Sequence, residues 1–191
     1  MSVKDLIRKN RSFRRFNEEE PVDKNVLSEL IDNARLSASG ANLQPLKYAV
    51  SASKEKNEKI FPHLAWAGYL KDWDGPDSGE RPAAYIIILG DTSIRNSFGC
   101  DHGIAAQSIL LGAVEKGYGG CMIASVNRKD LRRALDISDR YEILLVIALG
   151  KPAEKVVIDP VDSSGGIEYW RDNSGIHHVP KRSLADLILP V

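Results

Sequence analysis

The fold turns on one stretch: Asp101-His102-Gly103-Ile104-Ala105-Ala106-Gln107-Ser108-Ile109-Leu110-Leu111-Gly112-Ala113-Val114-Glu115-Lys116. It reads as a helix over residues 101–116, ended by Gly117-Tyr118-Gly119-Gly120. From Ile104 to Val114 it is apolar almost all round. A surface helix keeps a polar face. This one must therefore be covered on most sides, by its own core or by a partner subunit.

Outward from that helix, Tyr85-Ile86-Ile87-Ile88-Leu89 and Ile143-Leu144-Leu145-Val146-Ile147-Ala148-Leu149 have the length and content of buried strands. Residues 121–126 and 46–51 give two more strands. Helices are expected at 3–9, at 24–37 with Asp23 as cap, at 54–61, over 63–70, and at 128–136. In the last of these Asn127 caps and Asp130 mimics a capping box. Residues 37–45 form a small, polar loop closed by Pro45. Residues 71–82 form a long polar loop of the kind that serves as a lid or binding loop. Beyond Pro152 the pattern fades, so 151–180 reads as an extended arm, followed by a short amphipathic piece at 184–189. Helices and strands alternate irregularly. An α+β sandwich, with helices against a mixed sheet, fits better than a doubly wound parallel sheet.

Composition removes several function classes. The 191 residues carry 26 basic and 26 acidic side chains, so no global charge draws the chain to nucleic acid or an anionic membrane. Two cysteines, Cys100 and Cys121, make neither a disulfide framework nor a zinc spacing. Cys121 reads as core. Neither an apolar leader nor a stretch of 18 apolar residues is present, and a cytoplasmic protein is the expectation. There is no glycine fingerprint after a strand, no phosphate-binding lysine loop and no nucleophile elbow. His177-His178 and Cys100-Asp101-His102 lack metal-ligand geometry, and no metal is expected.

Two basic clusters remain. Arg11, Ser12 and Arg14 can offer guanidinium forks and a hydroxyl to a phosphate, and Lys181 with Arg182 forms a second cationic pair far along the chain. Solvated surface charge and convergence on one phosphate are both open, because charge alone does not decide.

Four segments in order carry a resemblance. Arg11-Ser12-Phe13-Arg14-Arg15-Phe16 resembles the Arg-Ser-x-Arg-x-Phe opening of the nitroreductase family of flavoproteins. Ser39-Gly40-Ala41-Asn42-Leu43-Gln44-Pro45 is similar to its second signature. Residues 101–111, with the glycine-rich exit at 117–120, are similar to its central helix, and Pro180-Lys181-Arg182 to its C-terminal basic motif. The resemblance implies one α+β sandwich domain over 1–191, with helices around a mixed, mainly antiparallel sheet, in an intertwined homodimer. Residues 151–191 would then be an arm packing on the partner. It also implies FMN, held by Arg11, Ser12 and Arg14, with Lys181 and Arg182 completing the phosphate grip. Ser39, Gly40 and Asn42 would approach the flavin from the partner subunit, with Gln44 close by, and Ile123 and Ala124 would offer backbone groups near the reactive ring nitrogen.

The activity implied is a ping-pong transfer of two electrons from NADH or NADPH to a small-molecule acceptor, a nitroaromatic, a quinone or a similar conjugated compound. No side chain acts as a covalent catalyst in that reading. Arg14 is the electrostatic stabiliser. Departures from the family pattern leave alternatives open: a reductive dehalogenase, a flavin-cleaving enzyme, or a non-catalytic FMN-binding module. Met122-Ile123-Ala124-Ser125 stands where many members have Pro-x-Glu-Gly, and Leu46 where many have tryptophan. Trp66, Trp73 and Trp170 read as ordinary core or interface packing, with a stacking lid over the flavin as the alternative, for which Trp73 in the long loop is the best candidate.

Overall fold

The computed structural model describes residues 1–162 and 164–190. Residues 163 and 191, both within the expected arm, lie outside the described residues. Among the described residues five α-helices form: α1 (Val3–Lys9), α2 (Lys24–Arg35), α3 (Lys54–Ile60), α4 (Asp101–Glu115) and α5 (Arg128–Ala134). Seven strands accompany them: β1 (Leu46–Ser51), β2 (Ala84–Asp91), β3 (Gly119–Ile123), β4 (Tyr141–Gly150), β5 (Val156–Pro160), β6 (Trp170–Arg171) and β7 (His177–Lys181).

The helix starts follow local chemistry. Ser2 and Asp5 make a reciprocal capping box on α1, Asp23 caps α2, and Asn127 caps α5. The main sheet runs β1-β2-β4-β3, and every pairing in it is antiparallel. The mixed character expected of the sheet is confined to a smaller one, β5-β7-β6, where β5 and β7 run parallel. All eight residues of β2 are buried, so both sheet faces are covered. Ile86 and Ile88 lie in one apolar cluster with α2 and α4, while Tyr85, Ile87 and Leu89 lie in the other with α3 and α5. Alternation along one strand thus feeds two cores.

The apolar helix α4 buries Ala105, Ala106, Ile109, Leu110 and Ala113 in its own core, chiefly against α2. Gly112 is what lets α2 come so close, since a Cβ there would sit 2.3 Å from the Asn33 side chain.

Other expectations need correction. No helix covers 63–70: Phe61–His63 is a single 3₁₀ turn, Leu64 bridges Val126, and Ala67 takes a φ of +36°. The strand expected at 121–126 starts two residues earlier and ends three earlier, over 119–123. The pattern-poor segment 151–180 holds three strands, the last running on to Lys181, and the amphipathic piece at 184–189 forms a turn over 185–187. The loop 71–82 is tied down. The Phe16 N–H donates to the Glu80 carbonyl (2.9 Å), the Glu18 N–H to the Gly79 carbonyl (3.2 Å), and Arg15 pairs with Glu80 at 3.0 Å.

Candidate functional site

The basic motif 11–16 docks on the edge of β3. Ser12 bridges Gly120 in parallel fashion, and the Phe13 N–H donates to the Gly120 carbonyl at 3.1 Å. The glycine pair makes this approach feasible. A Cβ on Gly119 would lie 2.5 Å from the Phe13 ring, and one on Gly120 would lie 2.6 Å from the Ala148 carbonyl oxygen. Docking leaves Phe16 fully buried and Arg14 only 9% exposed.

A buried guanidinium is expensive unless its surroundings answer it. Around Arg14 the answer comes from the far end of the chain. Glu154 Oε1 accepts the N–H groups of both Arg14 and Arg15, the latter at 3.2 Å. Its other oxygen holds Arg171 at 3.0 Å, and the carboxylate is 1% exposed. Glu154 therefore fixes the backbone of the motif while leaving the Arg14 guanidinium without a carboxylate. Arg14 Nη1 reaches the Ser12 carbonyl and His177 Nε2, each at 3.2 Å. Its Cζ lies 4.7 Å from the centre of the Tyr169 ring.

For Arg14 to donate to His177 Nε2, that nitrogen must be unprotonated. Burial pushes the His177 pKa down to about 4, and the neighbouring Arg14 charge adds to the fall. The imidazole is thus a neutral acceptor beneath the guanidinium.

Arg14 opens onto a cavity of about 250 Å³. Its walls come from Trp66 to Gly68, from Cys121 to Ser125 on β3 and beyond, and from Tyr169. Ile123 is buried and Ala124 exposed at this rim. The Ala124 carbonyl already accepts from Val126 N (3.0 Å) and Arg128 Nη2 (3.2 Å). Both of its lone pairs are in use, so backbone contact with a ligand there falls to N–H groups. Cys121 is buried, and burial raises its thiol pKa, which suits wall material rather than a nucleophile. Trp66 lines the cavity, whereas Trp73, the candidate for a lid, packs its ring 4.2 Å from Arg171 Cζ.

The remaining expected residues fall elsewhere in the single chain. Ser39 and Gln44 line a separate cavity of about 210 Å³ at the start of α4. Asp101 organises it: Oδ2 accepts the Ser39 hydroxyl at 2.7 Å, and Oδ1 accepts the Gly40 N–H at 3.0 Å. Burial works against the Asp101 charge, but these two hydrogen bonds and nearby Arg95 outweigh it and hold the pKa below the usual carboxylate range. Ala41, Asn42 and Gln44 all have φ between +51° and +56°. Three left-handed non-glycine residues in one short loop mark a conformation imposed by its surroundings.

Arg11 sits at the end of α1, where Nη2 donates to the Ile7 carbonyl at 2.8 Å and Nε is buried without a partner among the described residues. Lys181 and Arg182 are exposed at the end of β7. His177 touches Arg14, and Lys181 lies four strand steps further on, or roughly 13 Å away. One chain therefore brings Arg14, Ile123 and Ala124 together. It does not bring the 39–44 loop or the Lys181–Arg182 pair to the same cavity.

Glu154, His177 and Tyr169 surround Arg14 without having been placed there by the sequence reading, and Trp66, read as ordinary packing, lines the cavity. One usable signal was Val156-Val157-Ile158, three β-branched residues that mark a strand beside Glu154.

Comparison with known proteins gives a consistent picture. A family model described as "Nitroreductase family" matches residues 7–151. The Bacillus subtilis (strain 168) protein YodC, provisionally named an NAD(P)H nitroreductase, is 26% identical over 177 residues, covering 77% of this chain and 88% of that protein. A Pseudomonas sp. (strain G-1) protein named Cr(VI) reductase is 24% identical over 183 residues, covering 83% of this chain and 70% of the other. In fold, the chain is similar to an Exiguobacterium sibiricum 255-15 protein crystallised in complex with FMN. The TM-score is 0.68 at 17% identity, over 81% of this chain and 90% of the other.

Proposed function

We propose what this chain does from one premise: it belongs to the nitroreductase family. The proposed activity is that of an FMN-dependent oxidoreductase, taking two electrons from NADH or NADPH and passing them to a small conjugated acceptor. The observation that carries the reading is the buried Arg14 guanidinium, which faces a cavity with no carboxylate of its own.

The residues present fit the cofactor. A buried cation without a counter-ion is a place for an acceptor-rich or anionic group, and the pyrimidine edge of FMN is such a group. Arg14 and Ser12 would hold that edge, with Ile123 and Ala124 against the ring. FMN would supply the two-electron chemistry. The chain's own part is positional and electrostatic. Glu154 fixes the Arg14 backbone, neutral His177 accepts from its guanidinium, and the buried fork stabilises negative charge placed against it. Trp66, Tyr169 and Ile123 line that side.

The site in full is proposed to be built by two chains. Cavities of about 250 and 210 Å³ are each smaller than the roughly 300–1,000 Å³ of ordinary ligand sites. A second chain supplying its 39–44 loop and its Lys181–Arg182 pair would complete both the ring face and the phosphate grip. No helix among the described residues is long and apolar enough to cross a membrane.

The test is direct. The protein, supplied with excess FMN and desalted, should retain a visible flavin spectrum, and NADH or NADPH should bleach it without oxygen. A preparation that takes up no FMN removes the proposal. One that binds FMN but is bleached by neither donor leaves only a binding module.

A further inference from the structure

The turn from β3 into α5 forms one rim of the Arg14 cavity, and Ile123, Ala124 and Ser125 all line it. Ile123 is the last residue of β3 paired with β4, opposite Val146. Beyond it the chain is held by other means. On one side stands the segment 63–65. The Ala65 N–H donates to the Ser125 carbonyl at 2.9 Å, the Asn127 N–H to the His63 carbonyl at 2.8 Å, and Leu64 bridges Val126.

On the other side stands Arg128, the first residue of α5. Its Nε donates to the Ile143 carbonyl at 2.9 Å and its Nη2 to the Ala124 carbonyl at 3.2 Å. Longer contacts reach the Leu144 carbonyl at 3.4 Å and the Val126 carbonyl at 3.5 Å. Every hydrogen-bond partner of this guanidinium among the described residues is a backbone carbonyl. Asp130, the acid nearest in sequence, is engaged by the Asn127 side chain at 2.8 Å and by Arg133 at 3.6 Å. The cation thus rests on the turn without a carboxylate of its own.

The amide that joins Ala124 to Ser125 gains most from this. In a trans amide the N–H points opposite to the C=O. The Ala124 C=O is turned onto Arg128, which is not part of the cavity wall, so the Ser125 N–H is turned the other way. That N–H has no acceptor among the described residues. A guanidinium on the oxygen also polarises the amide and strengthens its N–H as a donor.

We propose that Arg128 is a positioning residue for the reaction at the Arg14 cavity, holding and polarising the Ala124–Ser125 amide so that the Ser125 N–H meets negative charge on a ligand bound there. The inference rests on the FMN reading above. FMN carries more negative charge reduced than oxidised, and a donor already fixed in place lowers the cost of that charge.

Wild type, Arg128→Gln and Arg128→Lys decide it. With FMN bound, Arg128→Gln should lower the midpoint potential of the flavin and slow bleaching at saturating donor about tenfold, with KM little changed. Without FMN, amide hydrogen exchange over residues 123–127 should quicken in the same variant. Arg128→Lys keeps the charge but not the fork, so exchange should still quicken while potential and rate stay close to wild type. That variant carries the test if Arg128→Gln does not fold. The inference is overturned by an unchanged potential and rate in Arg128→Gln, by wild-type exchange in Arg128→Lys, or by a potential shifted as far in Arg128→Lys as in Arg128→Gln. If wild type itself takes up no FMN, the FMN reading falls and takes this inference with it. FMN uptake with a wild-type potential in Arg128→Gln sinks this inference alone.

Discussion

The two basic motifs look alike in sequence and differ in structure. Arg14 is buried, its backbone is held by Glu154, and its guanidinium rests on a neutral histidine and a tyrosine ring. Lys181 and Arg182 stand exposed at a strand end. A cation is made into a site by the groups that hold it, and those at Arg14 come from residues 154, 169 and 177, far along the chain. The Lys181–Arg182 pair has no such frame within one chain.

The largest expected effect breaks the frame. Glu154→Ala removes the acceptor for two backbone N–H groups and leaves Arg171 unpaired in a buried setting. Breaking a buried pair in this way costs about 3–5 kcal/mol. Urea denaturation should show a loss of that size, with FMN retention lost alongside. Glu154→Gln keeps an oxygen for the two N–H groups and should lose less. A loss below about 1 kcal/mol in Glu154→Ala, the size of one ordinary hydrogen bond, would show that the motif is not held from this side.

Next comes His177. The unfolded chain takes up its proton near the ordinary imidazole value of about 6.5, whereas the folded chain resists protonation down to about 4. The unfolded state therefore binds more protons between those values, and stability is full above the upper one. It falls as pH drops through the window, by an amount on the order of 3 kcal/mol. Denaturation midpoints measured from pH 7 to 4 should follow that slope, and His177→Gln should flatten it. An unchanged slope in the variant would place the imidazole outside the frame. Arg14→Ala tests the held group itself. Hydrogen bonds to charged groups contribute about 1.5–3 kcal/mol, so FMN affinity should fall at least tenfold, and the flavin should become harder to reduce. Unchanged affinity and potential would mean that the buried guanidinium faces an empty role.

Legibility in the sequence followed contact range. β2 and β4 were readable because each is a run of buried, β-branched residues, and α4 because its lack of a polar face demands cover. The antiparallel order of the sheet was not readable from those runs, since a strand buried on both faces reads the same in either direction. Arg11, Ser12 and Arg14 could be picked out by residue type and resemblance. Which of them is buried could not, because that depends on Glu154, a residue 140 positions from Arg14. The helix expected over 63–70 failed for a related reason. Leu64 pairs with Val126, and that long-range bridge outweighs a weak local preference.

The smallest effect belongs to the unframed motif, and it is the sharper probe of the proposed two-chain site. Arg182 is exposed, so Arg182→Ala should change stability by no more than about 0.5 kcal/mol. If a second chain brings this residue to the FMN phosphate, cofactor affinity should still fall a few-fold at low ionic strength. The deficit should shrink as salt is added, because an exposed charge pair is screened over about 10 Å at 0.1 M. Arg14→Ala should keep its deficit in the same salt, because its charge is buried. Two variants, one salt titration and one cofactor thus separate a framed cation from a borrowed one. If Arg182→Ala matches wild type at every ionic strength, the C-terminal pair takes no part in holding the phosphate.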